Sequence, residues 1–321
     1  MNRILVLGGT GFVGRHLCEK AGRLSCRVTV PTRRLEDAKQ IQPLPWVDPI
    51  QADIHDEAAL TRLVRGHDAV VNLVAILHGS QAEFSRVHVE LVHKLVRACQ
   101  TSAVKRIVHV SALGAAPQAV SMYQRSKAQG EAVLAGSGLD VTILRPSVIF
   151  GAGDQFLNLF ARLQSVFPVL PLGGAATRFQ PVWVEDVARA IVNLLGDRTG
   201  VGAAGGQGEA PVYEACGPEV FTLKQLVHLA GRLSGHERPV LALPDVLARL
   251  QARLMELAPG RPLLSRDNLE AMRTDNVASG VLPGLQALGV TPAALSAVAP
   301  GYLKARETDI RLARRRAAGR F

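Results

Sequence analysis

A chain of 321 residues, 48% of them hydrophobic and 20% charged, carries enough apolar material for a large core, and this excludes a disordered polymer. No apolar run reaches the roughly 18–20 residues that cross a bilayer, and Cys18, Cys26, Cys99 and Cys216 show neither metal-ligand spacing nor a CxxC pair, the pattern of reduced, mostly structural thiols in a cytosolic protein with no metal site. The net charge of +10 raises nucleic acid or an anionic membrane as partners, but no nucleic-acid-binding motif accompanies it and aromatics make up only 4%, so no nucleic acid is expected.

In chain order, an apolar strand over Arg3–Leu7 runs into Gly8-Gly9-Thr10-Gly11-Phe12-Val13-Gly14 and then a helix over 11–21. With a strand pattern starting at Arg3, no signal peptide is expected ahead of the fold. Strands follow at 27–31, 49–52, 69–74, 106–111 and 140–144, with helices between them at 57–65, 84–100 and 121–135. Alternation of this kind is the signature of an α/β, doubly wound parallel sheet of the Rossmann type, here spanning residues 1–150. Residues 151–305 read as a smaller C-terminal substrate lobe, some of whose segments return to the main sheet: helices at 157–167, 185–195, 223–233 and 245–257 surround a short strand at 212–215. The glycine-rich stretch 196–208 reads as a surface loop, since no strand feeds it. Residues 306–321 form a basic tail centred on Arg314-Arg315-Arg316, expected to be a solvated or frayed end before a membrane or partner contact. Val246, Leu247, Leu250, Leu254 and Leu257 line one face of the 245–257 helix and are expected to face the core before a membrane.

The glycines after the first strand fit a dinucleotide. Gly8 permits a sharp turn, Gly11 leaves no Cβ between backbone and pyrophosphate, and Gly14 lets the helix pack on the strand. The helix N-terminus then offers free N–H groups to phosphate. Thr10, Phe12 and Val13 belong to the same cradle. Where NAD-specific proteins tend to place an acid after the second strand, this chain has Arg33 and Arg34, which favour the 2′-phosphate of NADP(H) over NAD(H), with Arg15 as a further candidate. Asp53 is expected at the adenine amino group beside Ile54, and Val74, Ala75 and Ile76 along the cofactor.

A second constellation is Tyr123-Gln-Arg-Ser-Lys127 with Ser111 upstream at the end of the fifth strand. Residues i and i+4 share a helix face, so phenol and ammonium converge. A nearby cation lowers a phenol's pKa and equips it as a general acid or base at a carbonyl or hydroxyl, with Ser111 holding the reacting oxygen.

Through the glycine block and Tyr123-xxx-Lys127, the chain resembles the short-chain dehydrogenase/reductase superfamily, and Leu144-Arg145-Pro146-Ser147-Val148-Ile149-Phe150-Gly151 and Val182-Trp183-Val184-Glu185-Asp186-Val187-Ala188 resemble later blocks of its extended, NAD-dependent epimerase/dehydratase-like branch. More narrowly it is similar to atypical members related to the nucleotide-binding accessory subunit of respiratory complex I, through the blocks at 108–115, 150–158 and 265–269. The resemblance adds Pro146 and Val148 to the cofactor contacts. Two departures stand out: His88 occupies the place where the extended branch usually has asparagine, and the serine-to-tyrosine interval is shorter than in sugar epimerases, which argues against a nucleotide-sugar substrate. His88 is read first as a satisfied structural histidine and second as part of a proton relay.

Two functions follow from the resemblance. In one, NADP(H) is tightly bound and structural, in a protein docking on a respiratory or quinone-related assembly at the membrane surface; Tyr123 and Lys127 then mainly hold the nicotinamide ribose. In the other, an oxidoreductase or epimerase uses Tyr123, Lys127 and Ser111 catalytically, a reductase of isoprenoid-quinone synthesis or an altered sugar-nucleotide enzyme being neighbouring assignments. The expected location is cytoplasmic, including a peripheral position on the inner face of the membrane.

Overall fold

The computed structural model describes residues 1–196, 210–257 and 262–303. Six strands in the first half, β1 (Arg3–Leu7), β2 (Arg27–Thr32), β3 (Val47–Gln51), β4 (Ala69–Asn72), β5 (Arg106–Val110) and β6 (Asp140–Pro146), are joined by right-sized helical crossovers into one parallel sheet. Short strands β7 (Ile149–Phe150), β8 (Leu170–Leu172), β9 (Arg178–Phe179) and β10 (Val182–Trp183) follow, and then β11 (Val212–Ala215) returns to pair in parallel with β6. The sheet order is β3-β2-β1-β4-β5-β6-β11, so the chain reverses direction across the sheet between β1 and β4. In open α/β sheets that reversal leaves a crevice beyond the strand C-termini, where ligands bind.

β1 shows why its sequence is continuously apolar rather than alternating. Ile4 and Val6 join the core beneath α1 (Phe12–Ala21), while Leu5 and Leu7 join the core on the opposite face, against α2 (Glu57–Val64). A strand buried on both faces needs apolar residues at every position.

The helix expected over 84–100 starts earlier and is not uniform. α3 (Gln81–Ser85) opens on a capping box between Ser80 and Glu83, a π turn spans Arg86–Glu90, and α4 (Leu91–Thr101) continues the line. α5 (Met122–Ala135) carries the Tyr123/Lys127 pair. The remaining core is a third cluster built from α6 (Leu157–Val166), α8 (Leu223–Ser234) and their neighbours, with α7 (Val184–Gly196) packed instead on α1 beneath the main sheet. Strand pairs β7/β10, β8/β13 and β9/β12 complete this half, β12 being Phe221–Thr222 and β13 Val240–Ala242. The four cysteines are buried free thiols, and burial pushes Cys18, Cys99 and Cys216 up to about 12.

One expectation is overturned. The apolar stripe of α9 (Asp245–Leu257) faces outward: Val246 and Leu257 are each 77% exposed, and Leu247, Leu250 and Leu254 between 50% and 61%. The helix buries the opposite face through Ala248 and Ala252, and a Cβ on Gly173 would lie only 2.8 Å from Ala248 Cβ. A periodic stripe states that a helix is two-faced, and small residues on the other face leave its direction undetermined. Residues 197–208 of the glycine-rich stretch and the basic tail at 306–321 lie outside the described residues.

Candidate functional site

The turn after β1 sits at the sheet's reversal point. Gly8 has φ +82°, in the left-handed region that a side chain resists, and its carbonyl accepts from the Gly11 N–H at 3.0 Å. A Cβ on Gly14 would lie 2.4 Å from Gly8 O and 2.5 Å from Gly9 Cα, so only glycine brings α1 this close to the strand. On Gly11 an added Cβ would meet only Gly8 O, at 3.2 Å, and otherwise project into open space. No side chain caps α1 at Gly11, whereas Asp56, Ser80 and Ser121 cap α2, α3 and α5. An uncapped helix N-terminus over a glycine cradle fits a pyrophosphate. Thr10 is part-buried in this turn, Val13 packs on the core under α1, and the Phe12 ring leans toward Gly151, whose added Cβ would lie 3.5 Å from it.

The two arginines after β2 are both exposed but differ in partner. Arg34 pairs with Asp37 at 3.4 Å, while the Arg33 guanidinium has no ion pair among the described residues. Arg15 reaches toward Gly153, its Nη2 3.7 Å from where a Gly153 Cβ would stand, and its buried Nε has no partner among the described residues. Asp53 is exposed and uses one carboxylate oxygen on the His55 N–H at 2.9 Å. Ile54 and Val74 are part-buried against the core on the α2 side, and Ala75 is exposed. The Val74 N–H donates to Asn72 Oδ1 at 3.1 Å, and Asn72 is in turn held by His109 Nδ1 at 3.1 Å. Buried Pro146 accepts from the Leu113 N–H at 2.9 Å, and Val148 donates its N–H to Asn276 Oδ1 at 3.2 Å.

Around α5 the geometry is more specific. Ser111 is buried, and its Oγ has no hydrogen-bond partner among the described residues. An unpaired buried hydroxyl costs free energy unless something bonds it. Lys127 is buried and donates from Nζ to the Val110 carbonyl at 2.8 Å; burial lowers it to about 8, with Glu131 acting in the opposite direction. Tyr123 is half-buried, its ring edge-on to Phe84 and His88 at centroid distances of 6.1 and 5.6 Å. The expected lowering of its phenol by the lysine is corrected here: burial pushes Tyr123 up to about 12, and the Lys127 ammonium donates to the Val110 carbonyl.

His88 is fully engaged. The Ile76 N–H donates to Nε2 at 3.1 Å, so the neutral ring carries its proton on Nδ1, which donates to Ser126 Oγ at 2.8 Å; Ser126 donates onward to the Tyr123 carbonyl at 2.7 Å. Burial, then the charge of Lys127, lowers His88 to about 3. The π turn aims this ring inward, where it ties the loop after β4 to α5.

Several positioning residues carry no strong sequence signal. The Asp267 carboxylate, on α10 (Arg266–Ala271), accepts from Ser121 Oγ at 2.8 Å, the Met122 N–H at 2.5 Å and the Tyr123 N–H at 3.1 Å. Asp154 accepts from the N–H groups of Gly151, Phe156 and Asn158 and from the Tyr302 hydroxyl at 3.0 Å. Their blocks were visible in the sequence, at 265–269 and 150–158, but the α5 groups that Asp267 accepts from and the Tyr302 hydroxyl on Asp154 lie over a hundred positions away.

Residues 4–203 match the model of the NAD dependent epimerase/dehydratase family. The chain belongs to that family. It is 30% identical over 303 residues to the mitochondrial NADH dehydrogenase (ubiquinone) 1 alpha subcomplex subunit 9 of Mus musculus, covering 90% of this chain and 76% of that one. It is 26% identical to the mitochondrial NADH-ubiquinone oxidoreductase 40 kDa subunit of Neurospora crassa, covering 93% and 78%. A ceramide reductase of Caulobacter vibrioides is 30% identical over 195 residues, 59% of each chain. Among solved structures, MoeE5 in complex with UDP-glucose and NAD superposes with a TM-score of 0.70 at 19% identity, covering 94% of this chain and 97% of that one. The dTDP-glucose 4,6-dehydratase DesIV of Streptomyces venezuelae, with NAD and TYD bound, gives 0.69 at 21%, covering 94% and 95%. These two likenesses establish the Rossmann-like fold of this epimerase/dehydratase-family member. Its relatedness to complex I subunits comes from the sequence matches.

Proposed function

We propose that this family member binds NADP(H) tightly and holds it as a structural element of a respiratory or quinone-related assembly, peripheral on the inner face of a membrane. The single observation that carries the cofactor choice is Arg33: an exposed guanidinium just beyond the end of β2, without an ion pair among the described residues, at the place where a 2′-phosphate would need charge. Its neighbour Arg34 is already shared with Asp37 and contributes less. Gly8, Gly11 and Gly14 and the N-terminus of α1 would hold the pyrophosphate, Asp53 the adenine, and Lys127 and Tyr123 the nicotinamide ribose. The relatives named as subunits of NADH dehydrogenase support the assembly role. No helix among the described residues is long and apolar enough to cross a membrane.

A second reading is favoured by Ser111, whose buried, unpaired hydroxyl is available to a substrate oxygen. When bound, NADPH supplies a hydride. A Tyr123 phenol near 12 stays protonated at neutral pH and so is equipped to donate a proton to a carbonyl rather than to abstract one. The same residues then serve a carbonyl reductase, in line with the relative named ceramide reductase.

The test is mass spectrometry of the dinucleotide released on denaturing the purified protein, paired with NADPH and NADH titrations of stripped wild type and Arg33→Ala. Dialysis-resistant NADP(H), weakened at least tenfold by the substitution while NADH binding is unchanged, is the expected result; a charge-assisted contact of about 1.5–3 kcal/mol sets that scale. Preference for NADH would sink the Arg33 assignment. Weak, exchangeable NADPH with turnover on carbonyl substrates would favour the second reading.

A further inference from the structure

We propose that the outward face of α9 docks on an anionic lipid bilayer. The proposal rests on the membrane-surface part of the reading above and is independent of how the dinucleotide is bound. Val246, Leu247, Leu250, Leu254 and Leu257 are at least half exposed, and at helical spacing they fall within an arc of about 100°. The helix is anchored to the protein by Ala248 and Ala252 on the opposite side. Its large aliphatic side chains therefore point outward along the whole element while small ones point in, the reverse of what core formation would select. Adjacent Leu241, 59% exposed, extends the apolar area: it stands opposite Pro171 in the β13/β8 register, and the Pro171 carbonyl accepts from Gln251 of α9 at 3.3 Å.

Chemistry favours lipid over protein as the occupant. The helix face offers neither a ring nor a hydrogen-bonding group, whereas protein interfaces centre on aromatic and arginine anchors with directional bonds. The rim selects an anionic surface. Glu256 is neutralised by Arg266 at 2.7 Å, and Glu270 by Arg249 at 3.2 Å and Arg273 at 3.0 Å. Arg253, exposed and without an ion pair among the described residues, stands beside the apolar face, three residues after Leu250 and four before Leu257; the unpaired acid of the helix, Asp245, is confined to its first turn. An apolar helix face bordered by cationic side chains is the arrangement of an interfacial helix lying in the membrane plane.

The experiment is co-sedimentation of the full chain with phosphatidylcholine vesicles, with and without phosphatidylglycerol, alongside Leu250→Ser/Leu254→Ser. Both sites are exposed, so the double variant keeps its melting temperature and dinucleotide content. The expected result is wild-type binding enhanced by phosphatidylglycerol, and a partition coefficient about tenfold or more lower in the variant. Equal partitioning of variant and wild type overturns the proposal. So does a wild type that ignores vesicles, whether it stays monomeric in sedimentation velocity or forms a dimer that the variant dissolves, the latter assigning the face to a second copy of the chain. Failed vesicle binding with NADP(H) retained refutes this surface alone, whereas absence of bound dinucleotide refutes the cofactor reading and leaves the vesicle result standing.

Discussion

The Asp267 carboxylate accepts the backbone N–H of Tyr123 at 3.1 Å, from a helix 144 positions further along the chain. Through this contact and the bonds from Ser121 and Met122, α10 fixes the first turn of the helix that carries Tyr123 and Lys127. A carboxylate there satisfies orphan N–H groups and meets the positive end of the helix dipole.

Asp267→Ala is expected to cost about 2–3 kcal/mol in urea denaturation, because three donors lose their acceptor in a buried place. Asp267→Asn, which keeps one carbonyl acceptor, should recover part of that stability and more of the dinucleotide affinity. Equal affinities for the two variants would show that the cap does not position α5 for binding.

Gly14→Ala should abolish dinucleotide binding and destabilise the protein by several kcal/mol, since the added Cβ meets backbone atoms 2.4–2.6 Å away that cannot yield. Gly66→Ala is the control. Its φ of +79° imposes strain of about 1–2 kcal/mol, but nothing lies within 4 Å, so calorimetry should find a small drop in Tm and titration an unchanged affinity.

Ser111→Ala separates a structural hydroxyl from a working one. The Oγ is buried without a partner, so its removal should leave stability unchanged or raise it by about 1 kcal/mol. A tenfold or larger loss of carbonyl reduction, if turnover is found, would assign the hydroxyl to a substrate oxygen. A destabilised variant would contradict the unpaired state.

His88 makes acid stability diagnostic. Its folded value, about 3, lies below the ordinary 6.5, so between these values the unfolded chain binds the proton and the native state does not. Stability therefore falls as pH drops below 6.5, by about 2 kcal/mol from this group at pH 5. Denaturation midpoints from pH 7 to 5 should fall less steeply in His88→Asn than in wild type, and parallel slopes would count against a buried neutral ring.

Lys127 gives the opposite pH range. Lowered to about 8 by burial, it loses its charge in the native state before the unfolded one does, so its destabilising effect is fully present below 8 and is relieved as pH rises toward 10.5. If its ammonium holds the ribose, NADPH affinity weakens as pH rises through about 8. Lys127→Met should bind more weakly at neutral pH and lose that dependence in fluorescence titrations.

The sequence by itself determined the architecture. β1 and β11 occupy the expected spans, and the glycine turn stands where β1 meets α1. These are local consequences: apolar periodicity sets strand and helix, and a glycine at φ +82° sets the turn. The Tyr123 and Lys127 positions were legible for the same reason, since four residues of helix put them on one face. Their electrostatics were not. Whether Lys127 meets the phenol or the Val110 carbonyl depends on how α5 packs on β5, and that packing sends Tyr123 up instead of down. The direction of the α9 stripe was likewise decided by tertiary structure, because a two-faced helix can be seated by its alanines as well as by its leucines. Asp267 and Asn276 satisfy backbone N–H groups more than a hundred residues away, and Asp154, besides accepting from its own neighbours, takes the distant Tyr302 hydroxyl, so only the folded chain brings these groups together.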